Sequence, residues 1–211
     1  KGNYGYLVVS PNGSYKYFLT ENDNEAIQKL NEGNSLNETF TVVATAGGST
    51  VPQSISIAIH GTNDRPYFTS STPAFAGAAK VGNFEDQAND WVDTAHPGTV
   101  FVGTVTGKAD VDDPTNSLVY KFAVSHTDGS TSYATEVKTD YGTISIDPAT
   151  GKYTYFLDTY SAKLATALNH SNAGIDDSVK VVIIDPHSAV SEPKDITIHI
   201  TPGSSGTGGS G

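Results

Sequence analysis

The stretch YGYLVVSPNGSYKYFL, residues 4–19, decides the fold. Apolar and polar residues alternate on both sides of Ser10-Pro11-Asn12-Gly13-Ser14, the pattern of two half-buried strands joined by a hairpin turn. Asn12-Gly13 supplies the positive φ that primed hairpin turns require. The same arrangement returns as YGTISIDPATGKYTYFL, residues 141–157. The match continues through KLNEGNSLNETFTVVATAGG (29–48), opposite ALNHSNAGIDDSVKVVIIDP (167–186), and closes with ISIAIHGT (55–62) opposite ITIHITPG (196–203). The chain therefore carries an internal repeat with a period of about 140 residues.

Strand signals dominate the rest. TVFVGTVTG (99–107) and LVYKFAV (118–124) alternate in the same way, whereas helix evidence is confined to NDNEAIQKLN (22–31) and TYSAKLATALN (159–169). Each could form a turn or two of amphipathic helix, burying Ile27 with Leu30 and Leu164 with Leu168. The repeat is uneven at its front: copy two has residues 67–140 ahead of its Tyr-Gly pair, and copy one has three residues. The expected organisation is the C-terminal half of a first β-sandwich (1–62), a junction (63–66), a complete second sandwich (67–201) and a flexible Gly/Ser tail (202–211). A half-sandwich has open strand edges, so this half is expected to be less stable or to recruit strands from elsewhere.

Composition narrows the function. Twenty-three acidic against twelve basic residues give a formal charge of −11, which argues against nucleic acid and against an anionic membrane surface. It suits a chain that collects hard cations through carboxylates, although acidity also serves solubility alone. There is no Cys, hence no disulfide framework. Met is absent, even at position 1, so the chain reads as starting inside a longer one, and no apolar run approaches the length of a membrane span.

As a set, YG…GSYKYFL…LNEG…TFTVVAT…IAIHGTNDRP resembles the VCBS repeat of large bacterial RTX-type adhesins. The resemblance covers copy one as far as it goes and all of copy two. It implies tandem Ig-like or cadherin-like β-sandwiches, type I secretion to the surface of a Gram-negative cell, and a part in adhesion or biofilm formation. Copy two departs from it. It ends in ITPGSSG where the family has a GTND-type junction, it has DPHSAVS (185–191) at a hairpin tip, and residues 126–140 look like an insertion.

Three acidic clusters could converge at the junction: Asn63-Asp64, Glu85-Asp86, and Asp110, Asp112 and Asp113. Calcium takes six to eight oxygens from carboxylates, carbonyls and Asn side chains, and Asp-x-Asp puts two carboxylates on one side of an extended segment. The set is similar to the cadherin linker pattern, but Gly61 stands where that pattern has a carboxylate and Arg65 where it has Asn, which implies fewer ions or weaker binding, with direct neutralisation of one carboxylate by Arg65 as the alternative. Read singly, each acid is a turn residue. Read together they make a calcium-stiffened joint, with Pro66 fixing one backbone angle.

Other chemistry is weaker. Tyr15 with Tyr17, and Tyr153 with Tyr155, could form sugar platforms but more commonly pack across a sheet. Trp91, the single Trp, is a candidate ligand contact in an acidic loop. The six His form no close metal pair, no Gly-x-Ser-x-Gly elbow is present, and glycosidase carboxylates carry no local signature. The expected protein is thus an all-β, non-enzymatic, calcium-binding adhesin module, a spacer or adhesive domain. Its partners are neighbouring repeats and possible surface glycans or other cells. A carbohydrate-binding module is the alternative.

Overall fold

The structure, a computed structural model, describes residues 1–20, 24–69, 79–80, 100–158, 160–170 and 174–201. The fold is all-β, built from antiparallel sheets with no closed barrel among the described residues. Residue contacts divide the chain into two compact units: Lys1–Arg65 with Asp110–Pro114, and Pro66–Ala109 with Thr115–Gly211. The chain passes from the first unit to the second at Arg65, returns at Asp110, and leaves again after Pro114.

Among the described residues, unit 1 is built from two hairpins and one helical turn, with the stretch Asp110–Pro114 beside them. Strands β1 (Gly5–Val9) and β2 (Tyr15–Leu19) pair antiparallel, and β3 (Ser35–Ala46) pairs with β4 (Ser49–His60) over its whole length. Helix α1 (Glu25–Gln28) is capped by Asn24, whose side chain accepts from the Ala26 N–H. The turn at Asn12-Gly13 differs from the primed turn expected of that pair. Gly13 alone takes positive φ (85°), its N–H donates to Ser10 O, and Ser10 N–H donates to Ser14 O. The pairing of Val9 with Tyr15 leaves a loop too long for a two-residue turn, so the bulged form with one left-handed residue is made instead.

Unit 2 begins with β5 (Tyr67–Phe68), β6 (Ala79–Lys80), β7 (Val100–Thr104) and β8 (Lys108–Ala109), with β5 paired to β8. It continues with β9 (Val119–Ser125), β10 (Thr131–Ala134), β11 (Glu136–Lys138), β12 (Gly142–Ile146) and β13 (Lys152–Leu157). Helix α2 (Ala162–Asn169), β14 (Ile175–Ile184) and β15 (Lys194–Thr201) complete it. One sheet runs β10-β9-β14-β15-β6 and the other β11-β12-β13-β7. The apolar positions of both alternate inward and merge into one core. Tyr120 and Phe122 of β9 and Val181 and Ile183 of β14 belong to it, together with Ile144 of β12 and Tyr155 of β13. Burying each such side chain stabilises by about 1.5–3 kcal/mol. Residues 126–140, which looked like an insertion, carry the chain from one sheet to the other: β10 pairs with β9, and β11 with β12. The tip at 185–191 closes on Asp185, which accepts from the Ala189 N–H at 2.8 Å while Ser188 takes φ 74°.

The repeat has a chemical keystone in each unit. Tyr155 on β13 points into the unit 2 core, and its hydroxyl donates to Asp177 Oδ2 at 2.6 Å. The same oxygen accepts from Thr139 Oγ1 at 2.5 Å and from the Tyr141 N–H at 3.1 Å. In unit 1, Tyr17 on β2 donates to Glu38 Oε2 at 2.9 Å, while Glu38 Oε1 accepts from the N–H groups of Asn3 and Tyr4. Each buried carboxylate ties a hairpin to a long strand, and three hydrogen-bond donors converge on each. Burial, then the neighbouring carboxylate, pushes Tyr17 up to about 12 and raises Tyr155 as well. Burial opposes ionisation of Glu38, but the Tyr4 N–H, the Tyr17 hydroxyl and the Asn3 N–H together hold it below its ordinary value.

The Tyr-Gly pair that opens both copies follows from this keystone. A methyl group on Gly142 would lie 2.3 Å from Phe156 O and 2.6 Å from Tyr155 Cζ, and one on Gly5 would meet Phe18 O and the Tyr17 ring equally closely. Only hydrogen fits beneath the tyrosine that reaches the acid. Gly142→Ala is therefore expected to destabilise unit 2 by about 1–3 kcal/mol in thermal unfolding. Tyr155→Phe should cost a similar amount, about 1.5–3 kcal/mol, because it removes a hydrogen bond to a charged acceptor.

Candidate metal centre

Within unit 1, the segment after β4 meets the stretch Asp110–Pro114. The meeting is fixed by backbone donors. Gly61 forms an isolated parallel bridge with Glu32, and its N–H donates to Asn34 O at 3.2 Å. A methyl on Gly61 would fall 1.8 Å from Leu30 O, so the absence of a carboxylate at this position is a steric requirement of the close backbone approach. Three residues on, the Asp64 N–H donates to Asp112 Oδ2 at 3.1 Å.

The Asp110–Asp113 stretch is bent rather than extended as its Asp-x-Asp spacing suggested. Asp112 N–H donates to Asp110 Oδ1 at 3.2 Å, a local turn that Asp side chains favour. The bend gathers Asp110, Asp112 and Asp113, each half-buried, so that one carboxylate oxygen from each lies within 4.8 Å of the others. Two ligands of one calcium ion, each at 2.3–2.6 Å, are separated by at most about 5 Å, so this spacing lies within the reach of a single ion.

The two central carboxylates share an unusual state. Each has one oxygen held by a backbone N–H and a second, Asp110 Oδ2 and Asp112 Oδ1, that is buried without a hydrogen-bond donor among the described residues. Glu38 and Asp177 show the contrast: they are also buried, but three donors converge on each. Two carboxylates side by side can share a hydrogen bond only if one holds a proton. The Asp110 carboxyl is accordingly pushed up to about 6, first by burial and then by Asp112 beside it, against the smaller pull of the Asp112 and Val111 N–H groups.

Of the residues singled out from the sequence, Asp110, Asp112 and Asp113 come together and Asp64 reaches them through its backbone N–H. The Asp64 side chain is exposed, and Asn63 is half-buried in the same segment. Glu85, Asp86 and Trp91 lie outside the described residues. Tyr153 and Tyr155 are core residues, which removes them as a sugar platform. The buried acids Glu38 and Asp177 were not singled out. Their signal is positional: each falls on the inward-facing parity of its strand, two residues before Phe40 and Val179.

The ordinary carboxyl value of Asp110 is 3.8, and its folded value is higher. Its contribution to stability is therefore full below about pH 3.8 and is lost as pH rises through about 6. In chelator, amide exchange in β3 and β4 is expected to be slower at pH 5 than at pH 7 after correction for intrinsic rates, and Asp110→Asn should abolish that difference. Glu38 titrates below its ordinary 4.5 and lies outside this window. No protein-family model matches the chain, and comparison with curated proteins finds no match.

Proposed function

We propose that this chain is a non-enzymatic repeat module of a large extracellular bacterial adhesin, a spacer or adhesive domain whose rigidity is set by calcium. The observation that carries the proposal is the pair of buried oxygens on Asp110 and Asp112 that have no donor among the described residues, within a three-carboxylate cluster. Charge buried without a partner is costly, and a hard divalent cation is the partner whose ligand chemistry is carboxylate oxygen. Asp110, Asp112 and Asp113 would hold it, with remaining positions open to water and to oxygens of the Asn63-Asp64 segment.

The mechanical role follows from the path of the chain. It crosses between the units after Arg65, before Asp110 and after Pro114. An ion that joins Asp64's neighbourhood to Asp110–Asp113 would cross-link two segments of unit 1 that are far apart in sequence. Without it, carboxylates repel and these backbone segments loosen. The likeness of the YG, YxYxL and GTNDRP motifs to VCBS repeats adds the setting: tandem modules, type I secretion and a Gram-negative cell surface. The carbohydrate-binding alternative loses Tyr153 and Tyr155 to the core and Tyr17 to its hydrogen bond with Glu38, which leaves the exposed Tyr15 alone of the four.

Calorimetric titration of calcium into the chain tests this reading. Extracellular calcium modules bind at about 10⁻⁴–10⁻³ M, and calcium at a hundredfold excess over Kd should stabilise by about 2.7 kcal/mol. Asp112→Asn should remove both the heat and the rise in melting temperature. Equal melting in calcium and in chelator would reduce the cluster to ordinary turn residues.

A further inference from the structure

Unit 2 shows what unit 1 lacks. In unit 2, β13 pairs with β12 on one side and β7 on the other, and β14 pairs with β15 on one side and β9 on the other. The unit 1 counterparts follow from register: Gly5↔Leu19 and Leu7↔Tyr17 match Gly142↔Leu157 and Ile144↔Tyr155, and Glu38↔Ile57 matches Asp177↔Ile198. Thus β2 corresponds to β13 and β3 to β14. Among the described residues, β2 pairs only with β1 and β3 only with β4.

The side chains at these positions are still of core type. Tyr153 is 1% exposed and its counterpart Tyr15 is 50% exposed; Val182 is 2% exposed and Val43 is 59%; Ile146 is 5% exposed and Val9 is 41%. Scattered exposed apolar residues are normal, but these belong to two paired hairpins and match buried positions one for one. Neither β2 nor β3 contains proline, so no backbone N–H is missing from the outer edge of either strand.

We propose that unit 1 takes up two further β-strands by edge addition, one along β2 and one along β3. The occupant is the leading strand pair of a like repeat, chemically the pair that unit 2 carries as β7 and β9. Main-chain hydrogen bonds supply the attraction, and alternate apolar side chains of the incoming strands cover Tyr15, Val9 and the half-buried Val42, whose counterpart Val181 is fully buried beside Phe122. The register of unit 2 places the additions: Lys152–Phe156 meets β7 and Lys180–Ile184 meets β9, so the receiving segments are Ser14–Phe18 and Thr41–Thr45. This inference stands on the internal repeat and is independent of the calcium reading.

The test adds synthetic peptides of residues 99–107 and 117–125 to the full chain and follows amide exchange. Neither peptide contains the acidic stretch 110–114. The first should slow exchange at Ser14–Phe18 and the second at Thr41–Thr45, each saturably and by about tenfold or more. A 117–125 peptide carrying Tyr120→Lys and Phe122→Lys should give no protection. Absence of protection by both native peptides would overturn the proposal, as would equal protection by the lysine peptide. Protection that appears without peptide, and rises with chain concentration, would assign the edges to a second copy of the chain and overturn the named occupant.

Discussion

A single buried carboxylate, met by a tyrosine hydroxyl from the opposite hairpin, organises each copy of the repeat. In unit 2 it is Asp177 with Tyr155; in unit 1 it is Glu38 with Tyr17. Burying an ion is costly unless donors surround it, and once they do, removing any donor strands the charge. The strand that carries the acid, the hairpin that carries the tyrosine and the backbone N–H groups ahead of that hairpin must therefore stay in one register. The glycine beneath the tyrosine ring and the alternation of the flanking strands are consequences of that geometry.

The same principle, applied where donors are missing, marks the candidate cation site. Asp110 and Asp112 are held by backbone N–H groups at one oxygen each, and the other oxygen of each is buried with no donor among the described residues. Such a pair can take a proton or a cation. Protonation suits mildly acidic conditions, and calcium suits a neutral extracellular medium. The two states make opposite demands on pH, which is why the acid titration and the ion titration report on the same atoms.

The strands were legible from alternation, because a period of two survives wherever one face is buried. The repeat was legible from Tyr-Gly and Tyr-x-Tyr-x-Leu, although the reason for those residues, a ring lying over a glycine to reach an acid, needs the third dimension. Glu38 and Asp177 were not legible as buried groups, because acids read as solvent-facing unless their strand parity is followed. Asn12-Gly13 suggested a primed turn, and strand register selected a longer loop. At the candidate site, the acidic spacing brought out Asp110, Asp112 and Asp113 together with Asn63-Asp64. The bend that gathers the three aspartates comes from a local side-chain hydrogen bond that spacing alone does not show. The role of Gly61 was likewise hidden, since its cause is the backbone carbonyl of Leu30, far earlier in the chain.

The measurement that tests the calcium account most directly is a crystal structure of the chain grown in millimolar calcium. An ion is expected within about 2.3–2.6 Å of Asp110 Oδ2 and Asp112 Oδ1, with Asp113 completing the carboxylate set. A water molecule there, or a short carboxyl–carboxylate contact between Asp110 and Asp112 with calcium present, would contradict it.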